Sequence, residues 1–447
     1  MKLFGTDGVR GTANVYPITP EIAMKLGKAA AVVLTKGKKK PLFLIGKDTR
    51  ISCYMLENAL TAGLTSMGAN VLLVGPVPTP GVAHLVRSFA ADAGIMISAS
   101  HNSFMDNGIK FFDKRGFKLP DAIEEEIEKL VLNDDLNTDH IIENDIGRAK
   151  RIEDAQGRYI EFSKNSISNH SLKGLKIVLD CANGAAYNVA PLILRELGAE
   201  LIVLNNNPNG VNINKDGGAL HPEVLKAAVL GHNADVGITL DGDADRILMV
   251  DELGNILDGD HILAVAALYL KEKGKLNNNH VVVTQYTNIA FDKLMEKHNI
   301  KVSKVKNGDR YVIEEMLKHD YNLGGEFSGH IIFSDYNSTG DGMVAGLQIL
   351  KIMLIKKKKL SEISVLEKYP QVIVNVKVKE KKLFENMNIL QNVINDSKKK
   401  LGNEGRYLIR YSGTEKKARV MVEGLDENLI KNIANSLAKE IKKEVGE

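Results

Sequence analysis

Short apolar runs, each followed by a polar turn and a helical stretch, recur along this chain of 447 residues. They lie at residues 42–45, 175–179 and 281–283. Apolar runs of this length that alternate with helices are typical of buried strands in sheets covered by helices. A helix beginning at Thr19-Pro20-Glu21, with a capping residue, an early proline and an early acid, fits the same plan. The pattern predicts an α/β fold of three similar α/β domains with mixed sheets.

The C-terminal part of the chain has a different pattern. Residues 372–378 alternate apolar and polar, a helical pattern follows to Leu401, and residues 407–409 and 420–422 flank a turn before a final helix. This order predicts a smaller α+β domain. The domain ranges that we predict are 1–155, 156–255, 256–368 and 369–447.

Composition excludes several classes of protein. Hydrophobic residues make up 44% and charged residues 26%, as in a globular protein. The longest purely apolar stretch, 262–270, is too short to cross a membrane, and the first residues show no signal-peptide core. Two cysteines, Cys53 and Cys181, lie far apart without metal-ligand spacing. We therefore expect a cytoplasmic protein with no membrane partner.

Lysines cluster at residues 38–40, 356–359 and 398–400, although the net charge is only +3. Such runs are found at nucleic-acid contacts and also on solvated helix ends. No aromatic residues are interleaved with them for base stacking. We therefore expect no nucleic-acid partner.

A strand-like run over residues 94–97 ends in Ser98-Ala99-Ser100-His101-Asn102. In α/β sheets the carboxyl ends of strands face the ligand crevice, which makes Ser100 a candidate nucleophile. A hydroxyl-rich turn or a helix cap is the alternative. This segment alone does not separate the two interpretations.

Three carboxylates stand at alternating positions of a tight loop, in Asp241-Gly242-Asp243-Ala244-Asp245-Arg246. They repel one another unless a cation lies between them, and hard oxygen ligands favour magnesium. An EF-hand loop is one alternative, but it requires glycine where Arg246 stands and helices where the chain shows apolar runs. A solvated acidic turn is the other.

Two further segments can contact a phosphosugar. Gly325-Glu326-Phe327-Ser328-Gly329-His330 places an acid, a hydroxyl and an imidazole in a glycine-flanked loop, although a glycine-rich turn is the default interpretation. Arg410-Tyr411-Ser412-Gly413-Thr414 joins two predicted strands, and Arg419 returns on the second. Arginines, hydroxyls and backbone N–H groups at a glycine turn suit a phosphate, with a charged surface hairpin as the alternative.

These four segments, in this order, resemble the serine, metal, sugar and phosphate loops of the α-D-phosphohexomutase superfamily. The opening Phe4-Gly5-Thr6-Asp7-Gly8-Val9-Arg10-Gly11 and the segment Gly308-Asp309-Arg310-Tyr311 are similar to the branch that acts on amino sugar phosphates. That branch usually has glutamine at the position of Phe327, and proline at those of Tyr411 and Lys416. None of these differences removes a charged ligand.

The resemblance implies four domains that enclose a central cleft and interconvert glucosamine 6-phosphate and glucosamine 1-phosphate. The reaction passes through a phosphoserine and a bisphosphate, on the route to UDP-N-acetylglucosamine. Glucose or mannose phosphates are the alternative substrates within the superfamily, and a phosphosugar-binding protein without turnover is the alternative outside enzymes. Homodimer formation is left open.

The resemblance also implies roles for particular residues. Mg²⁺ is expected on Ser100, Asp241, Asp243 and Asp245. The expected catalytic residues are Ser100, Lys110, Arg246, His330, His101 and Arg10, with His330 preferred over His101 as the base. Lys110 lies ten residues past the serine, and without the resemblance a surface lysine is the alternative interpretation. For both histidines the alternative is a structural role. The expected substrate-binding residues are Glu326, Ser328, Arg410, Ser412, Gly413, Thr414 and Arg419.

Overall fold

The structure is a computed structural model that describes residues 2–5, 7–134, 136, 143–412 and 416–447. The chain divides into two compact units. The first comprises Met1–Tyr286 and Ile300–Val365, and the second comprises Thr287–Asn299 and Leu366–Glu447.

The first unit begins with a mixed sheet of seven strands. They are β1 (Phe4–Gly5), β2 (Gly8–Thr12), β3 (Leu42–Lys47), β4 (Asn70–Pro76), β5 (Ala93–Ile97), β6 (Asp106–Asp113) and β7 (Ala149–Arg151). Their order is β1-β2-β6-β5-β3-β4-β7, and the last four of these run parallel. The accompanying helices are α1 (Pro20–Thr35), α2 (Ser52–Ser66), α3 (Thr79–Ser88), α4 (Asp121–Asn133) and α5 (Ala155–Ser166).

Alternate side chains of β3 supply two cores, because successive residues of a strand point to opposite faces. Phe43 and Ile45 pack with α1, α2 and α4, whereas Leu44 packs with α3. Helix α1 begins as predicted, since the Thr19 hydroxyl accepts a hydrogen bond from the N–H of Ile22.

The second sheet has five strands, which are β8 (Lys176–Asp180), β9 (Glu200–Leu204), β10 (Val236–Leu240), β11 (Ile247–Asp251) and β12 (Ile256–Leu257). Their order is β12-β11-β10-β8-β9, with β10, β8 and β9 parallel. Helices α6 (Val189–Glu196) and α7 (Pro222–His232) accompany them.

The third sheet has four strands, which are β13 (His280–Thr284), β14 (Lys301–Val305), β15 (Leu323–Gly325) and β16 (Ile331–Phe333), in the order β14-β13-β15-β16. The helices in this part of the chain are α8 (Gly259–Glu272), α9 (Ile289–Lys297), α10 (Asp309–His319), α11 (Gly342–Lys356) and α12 (Leu360–Ile363). Of these, α9 belongs to the second unit.

The second unit contains an antiparallel sheet of three strands, which are β17 (Gln371–Lys377), β18 (Gly405–Tyr411) and β19 (Lys417–Gly424), in the order β17-β19-β18. Helices α13 (Asn388–Leu401) and α14 (Glu427–Val445) pack on it through residues such as Leu390 and Leu437. In the described part of the chain, the 3₁₀ helices are Glu143–Asp145, Gly218–Leu220 and Asn277–Asn279 in the first unit and Phe384–Asn386 in the second.

The predicted fold class is confirmed, with three mixed sheets and a smaller α+β part. The three apolar runs form β3, β8 and β13. The EF-hand alternative is wrong, because the acidic loop connects two paired strands, β10 and β11. The three lysine runs are exposed, and both cysteines are buried free thiols. Among the described helices, none combines the length and apolar character that crossing a bilayer requires. The domain boundaries stay predictions.

His84 on α3 stacks on Phe162 of α5, with ring centroids 4.0 Å apart. Burial, followed by the charges of Arg87 and Arg158, lowers the pKa of His84 from 6.5 to about 4. The unfolded chain therefore binds a proton below pH 6.5 that the folded chain accepts only near pH 4. Stability that this histidine contributes is present above the unfolded pKa and is lost as the pH falls toward the folded pKa.

We expect the His84→Gln variant to lose less stability than the parent when the pH falls from 7 to 5. The difference should be about 2 kcal/mol, given 1.36 kcal/mol per pKa unit. Urea unfolding of both chains at the two pH values measures it. Equal losses in the two chains would show that His84 does not titrate as its surroundings indicate.

Candidate active site

Ser100 lies in the turn that follows β5 and is 2% exposed. Its backbone is left-handed, with φ at 51°, and its N–H donates to the Ser98 hydroxyl at 2.9 Å. The Ser100 hydroxyl donates to Oδ2 of Asp241 at 2.6 Å. The serine loop of the first sheet and the acidic loop of the second therefore meet at this hydroxyl.

Asp241, Asp243 and Asp245 follow β10 and are buried, with one oxygen of each within 4.8 Å of the others. Oδ1 of Asp243 and Oδ1 of Asp245 are buried and accept no hydrogen bond from the described part of the chain. Buried carboxylate oxygens that converge without donors suit a hard divalent cation. The acidic loop therefore fits a metal site, and the solvated-turn alternative is excluded by its burial.

The three carboxylates differ in their electrostatic surroundings. Burial, and then Asp245 and Asp243, raise the pKa of Asp241 well above its usual value. For Asp243 burial acts in the same direction, but Lys110 outweighs it and lowers the pKa. Without a cation the loop therefore disfavours charge at Asp241 and favours it at Asp243.

Lys110 is 1% exposed, so the surface-lysine interpretation is wrong. It lies on β6 opposite Met96 of β5, which brings it to the strand end that carries Ser100. Its Nζ is 2.9 Å from Oδ2 of Asp243 and 3.0 Å from Oδ2 of Asp7. Burial opposes its charge, but these carboxylates outweigh burial and raise its pKa.

The charges continue in alternation away from Lys110. Lys118 donates to Oδ1 of Asp7 and to Oδ2 of Asp309. Asp309 in turn lies 3.5 Å from Nε2 of His330. A chain of alternating acids and bases thus links the first, second and third sheets within the first unit.

His330 and His101 have opposite electrostatic settings. His330 is 2% exposed, and its Nδ1 is 3.6 Å from Oδ2 of Asp245. Burial opposes its charge, but Asp245 outweighs burial and raises its pKa. His101 has Nδ1 3.2 Å from Arg246 Nη1, and burial, followed by Arg246 and Arg10, lowers its pKa to about 4.

The sugar loop connects β15 and β16 and lies beside the acidic loop, since the N–H of Ile247 donates to the carbonyl of Gly329 at 3.1 Å. Glu326 accepts from the Ser328 hydroxyl at 3.2 Å and from the N–H of Gly308 at 3.0 Å. Phe327 is 41% exposed. Glu326 and Ser328 therefore form one polar group, and their role in binding a sugar stays a prediction.

Arg10 and Arg246 border the same region. Arg10 Nη2 is 3.0 Å from Oδ2 of Asp7, and Arg246 Nε is 3.8 Å from Oδ1 of Asp245. The first unit thus brings together its predicted residues, which are Ser100, His101, Lys110, Asp241, Asp243, Asp245, Arg246, Glu326, Ser328 and His330, with Arg10 joined through Asp7.

The remaining predicted residues belong to the second unit. Arg410 of β18 lies opposite Arg419 of β19, and burial, followed by Arg419, lowers the pKa of Arg410. Ser412 donates its N–H to the carbonyl of Lys417, and its own carbonyl accepts from Lys381. Two adjacent arginines suit an anion. Gly413 and Thr414 lie outside the described residues.

Sequence reasoning missed several residues at the site. Thr79, the first residue of α3, donates its hydroxyl to Oδ2 of Asp243 at 2.7 Å. Asp7 and Asp309 lie within segments that carried the family resemblance, so those segments were a signal for them. Thr79 and Lys118 carried no signal, because their partners are distant in sequence.

A buried serine hydroxyl that faces a cluster of carboxylates able to hold a metal, at the strand ends of α/β sheets, suits phosphoryl transfer. The chain belongs to the phosphoglucomutase/phosphomannomutase family. The family's alpha/beta/alpha domains I, II and III match residues 1–138, 157–254 and 258–369, and its C-terminal domain matches 373–440. The resemblance to the α-D-phosphohexomutases is thereby confirmed.

Relatives of known name cover the whole chain. It is 53% identical to the phosphoglucosamine mutase of Citrifermentans bemidjiense, over 100% of this chain and 98% of that one. It is 54% identical to the phosphoglucosamine mutase of Geobacter metallireducens, over 100% and 99%.

Solved structures share the fold. One is a phosphoglucomutase/phosphomannomutase family protein from Burkholderia thailandensis, with a TM-score of 0.81, 22% identity and coverage of 99% of this chain and 97% of that one. Another is the Aspergillus fumigatus N-acetylphosphoglucosamine mutase in complex with GlcNAc-6P and magnesium, with a TM-score of 0.71, 19% identity and coverage of 99% and 96%. At these identities the likeness supports the fold alone.

Proposed function

We propose that this chain is an enzyme that interconverts glucosamine 6-phosphate and glucosamine 1-phosphate. The phosphate is carried by Ser100 and passes through a hexose bisphosphate. The observation that carries the proposal is that the buried Ser100 hydroxyl donates a hydrogen bond to Asp241 of the acidic loop. The phosphoglucosamine mutase relatives at 53% and 54% identity support glucosamine as the sugar.

Asp241, Asp243, Asp245 and the Ser100 phosphate would hold Mg²⁺. When bound, that ion supplies neutralisation of the charge on the phosphoryl oxygens. Lys110 keeps Asp243 ionised and in place, and Thr79 donates to the same carboxylate oxygen. Arg246 borders the site beside Asp245 and is positioned to neutralise an oxygen of the transferring group.

A sugar hydroxyl must lose a proton as it attacks phosphorus. We assign that proton to His330, because Asp245 and Asp309 flank the ring and stabilise the charge that it gains. His101 is the weaker base, since its pKa is lowered to about 4. A base works best when its pKa lies near the operating pH, which favours His330.

Glu326 and Ser328 would bind ring hydroxyls in both orientations of the sugar, because the two ends of the substrate exchange places during the cycle. Arg410, Ser412, Gly413, Thr414 and Arg419 would bind the phosphate that is not being transferred. The four predicted domains thus carry the serine, the metal, the sugar and this distal phosphate in turn. We place the enzyme in the cytoplasm and propose no nucleic-acid partner. Homodimer formation is left open.

The test is a comparison of kcat/KM for the 6-phosphates of glucosamine, glucose and mannose, in one buffer with the same bisphosphate activator. The ammonium at carbon 2 differs from a hydroxyl by one charge, so we expect glucosamine 6-phosphate to be preferred by about tenfold to a hundredfold. The Ser100→Ala variant gives the background in each assay. Equal or better turnover of the glucose or mannose compound would make this a phosphoglucomutase or phosphomannomutase acting through the same residues.

A further inference from the structure

Arg50 lies just past the end of β3, is fully buried, and contacts the serine loop, residues 98–102. Its Nη2 donates to the carbonyl of Ser100 at 3.0 Å and to the carbonyl of Asn102 at 2.6 Å. Its Nη1 pairs with Asp48, which also accepts from the N–H of Arg50. The guanidinium is therefore fixed at one end and bonded to the serine loop at the other.

Asn214, from the loop between β9 and α7, reaches the same two carbonyls from the second sheet. Its Nδ2 donates to the carbonyl of Ser100 and to that of Asn102, at 2.9 Å each. Gly242 of the acidic loop packs against both groups. A Cβ at this position would lie 2.5 Å from the Ser100 carbonyl oxygen and 2.8 Å from Asn214 Nδ2. Only glycine permits this approach.

We propose that Arg50 and Asn214 are positioning residues for Ser100, and we call the pair the carbonyl clamp. Ser100 has φ at 51°, a conformation that surrounding contacts must hold in place for a residue other than glycine. With its carbonyl bonded to both side chains, its peptide plane is fixed, and so is the direction of the hydroxyl toward Asp241.

The clamp matters because of the reaction, and this inference rests on the proposed function. Ser100 must give up its phosphate and receive another at the same place, and phosphoryl transfer depends on in-line positioning. Neither Arg50 nor Asn214 belongs to the residues assigned to the sugar or to the distal phosphate. Loss of the clamp should therefore lower kcat and the rate of Ser100 phosphorylation, and leave KM nearly unchanged.

The chain offers a matched control in Lys47, the last residue of β3. Lys47 is 2% exposed and its Nζ lies 2.7 Å from Oε2 of Glu57, so it is also a buried cation paired with a buried carboxylate. None of its described contacts is with the serine loop. Lys47→Met and Arg50→Met should both lower the melting temperature, because each removes the nearest cation of a buried carboxylate, although Glu57 keeps Arg151 at 3.9 Å. Only Arg50→Met should lower kcat, by about a hundredfold, the typical cost of misplacing a reacting group by 1 Å.

Asn214→Ala is a second variant that removes no charge, and it decides the question if Arg50→Met does not fold. Asn205→Ala is its control, since Asn205 Nδ2 donates to Asp180 at 3.0 Å. We expect Asn214→Ala to lower kcat by about tenfold, because the Ser100 and Asn102 carbonyls each lose one side-chain donor and keep the other, Arg50. Asn205→Ala should keep the parent value.

The measurements are kcat and KM with glucosamine 6-phosphate, and the rate at which a hexose 1,6-bisphosphate phosphorylates Ser100, followed by intact mass. Equal kcat losses in Arg50→Met and Lys47→Met, or a parental kcat in Asn214→Ala, would overturn the clamp. If the parent chain becomes phosphorylated on Ser100 but does not turn over glucosamine 6-phosphate, only the proposed substrate is wrong. The phosphorylation rates then still test the clamp.

Discussion

Ser100→Ala is expected to lower turnover of glucosamine 6-phosphate by at least about 10³-fold, as removal of a covalent nucleophile does in other enzymes. The Ser100 hydroxyl donates to Asp241, and the Thr79 hydroxyl, which also lies at the acidic loop, donates to Asp243. Thr79 cannot replace Ser100 without giving up that bond. The melting temperature should change little, because one hydrogen bond is lost and the backbone geometry is kept.

Intact-mass and peptide spectra after incubation with a hexose 1,6-bisphosphate should show phosphate on Ser100 of the parent and none in the variant. Ser103→Ala is the matched control, since Ser103 is an exposed hydroxyl three residues along the chain and its carbonyl, which Arg50 contacts, is retained. Phosphate found reproducibly on another residue, together with full turnover by Ser100→Ala, would refute the phosphoserine mechanism.

The fold was predictable from the sequence because its signals are local. The apolar runs of β3, β8 and β13 and the cap at Thr19 depend on residues close in the chain. The acidic loop was predictable for the same reason, since its three carboxylates lie within five residues of one another. Their crowding alone indicates a cation.

The supporting residues were not predictable, because their partners are distant in the chain. Thr79 and Asp243 are separated by 164 residues, Lys118 and Asp309 by 191, and Asn214 and Ser100 by 114. Such pairs are set by how the sheets pack, which no local pattern encodes. The spacing of Lys110 from Ser100 indicates only a surface lysine. The register of β6 against β5, in which Lys110 lies opposite Met96, brings it to the strand end that carries Ser100.

Asp243→Asn is expected to lower activity by at least about a hundredfold, because a ligand of the proposed Mg²⁺ loses its charge and metal catalysis supplies several kcal/mol. The variant should also be less stable than the parent without metal. Asp243 is the carboxylate whose charge the fold favours, through Lys110 at 2.9 Å, and removing one partner of a buried pair is destabilising. Lys110 keeps Asp7 at 3.0 Å, so the loss should stay near 1–3 kcal/mol.

Asp241→Asn is the matched variant with the opposite expectation for stability. Burial and the neighbouring carboxylates raise the pKa of Asp241, so a neutral amide there removes a charge that the metal-free fold disfavours. We expect it to melt at or above the parent without metal and still lose activity, as Asp243→Asn does. Thermal melts with and without Mg²⁺ measure both effects, since a ligand that binds only the folded chain raises its melting temperature. If Mg²⁺ raises the melting temperature of both variants as much as that of the parent, the acidic loop is not the metal site. If Asp241→Asn melts far below the metal-free parent, this carboxylate stabilises the fold instead.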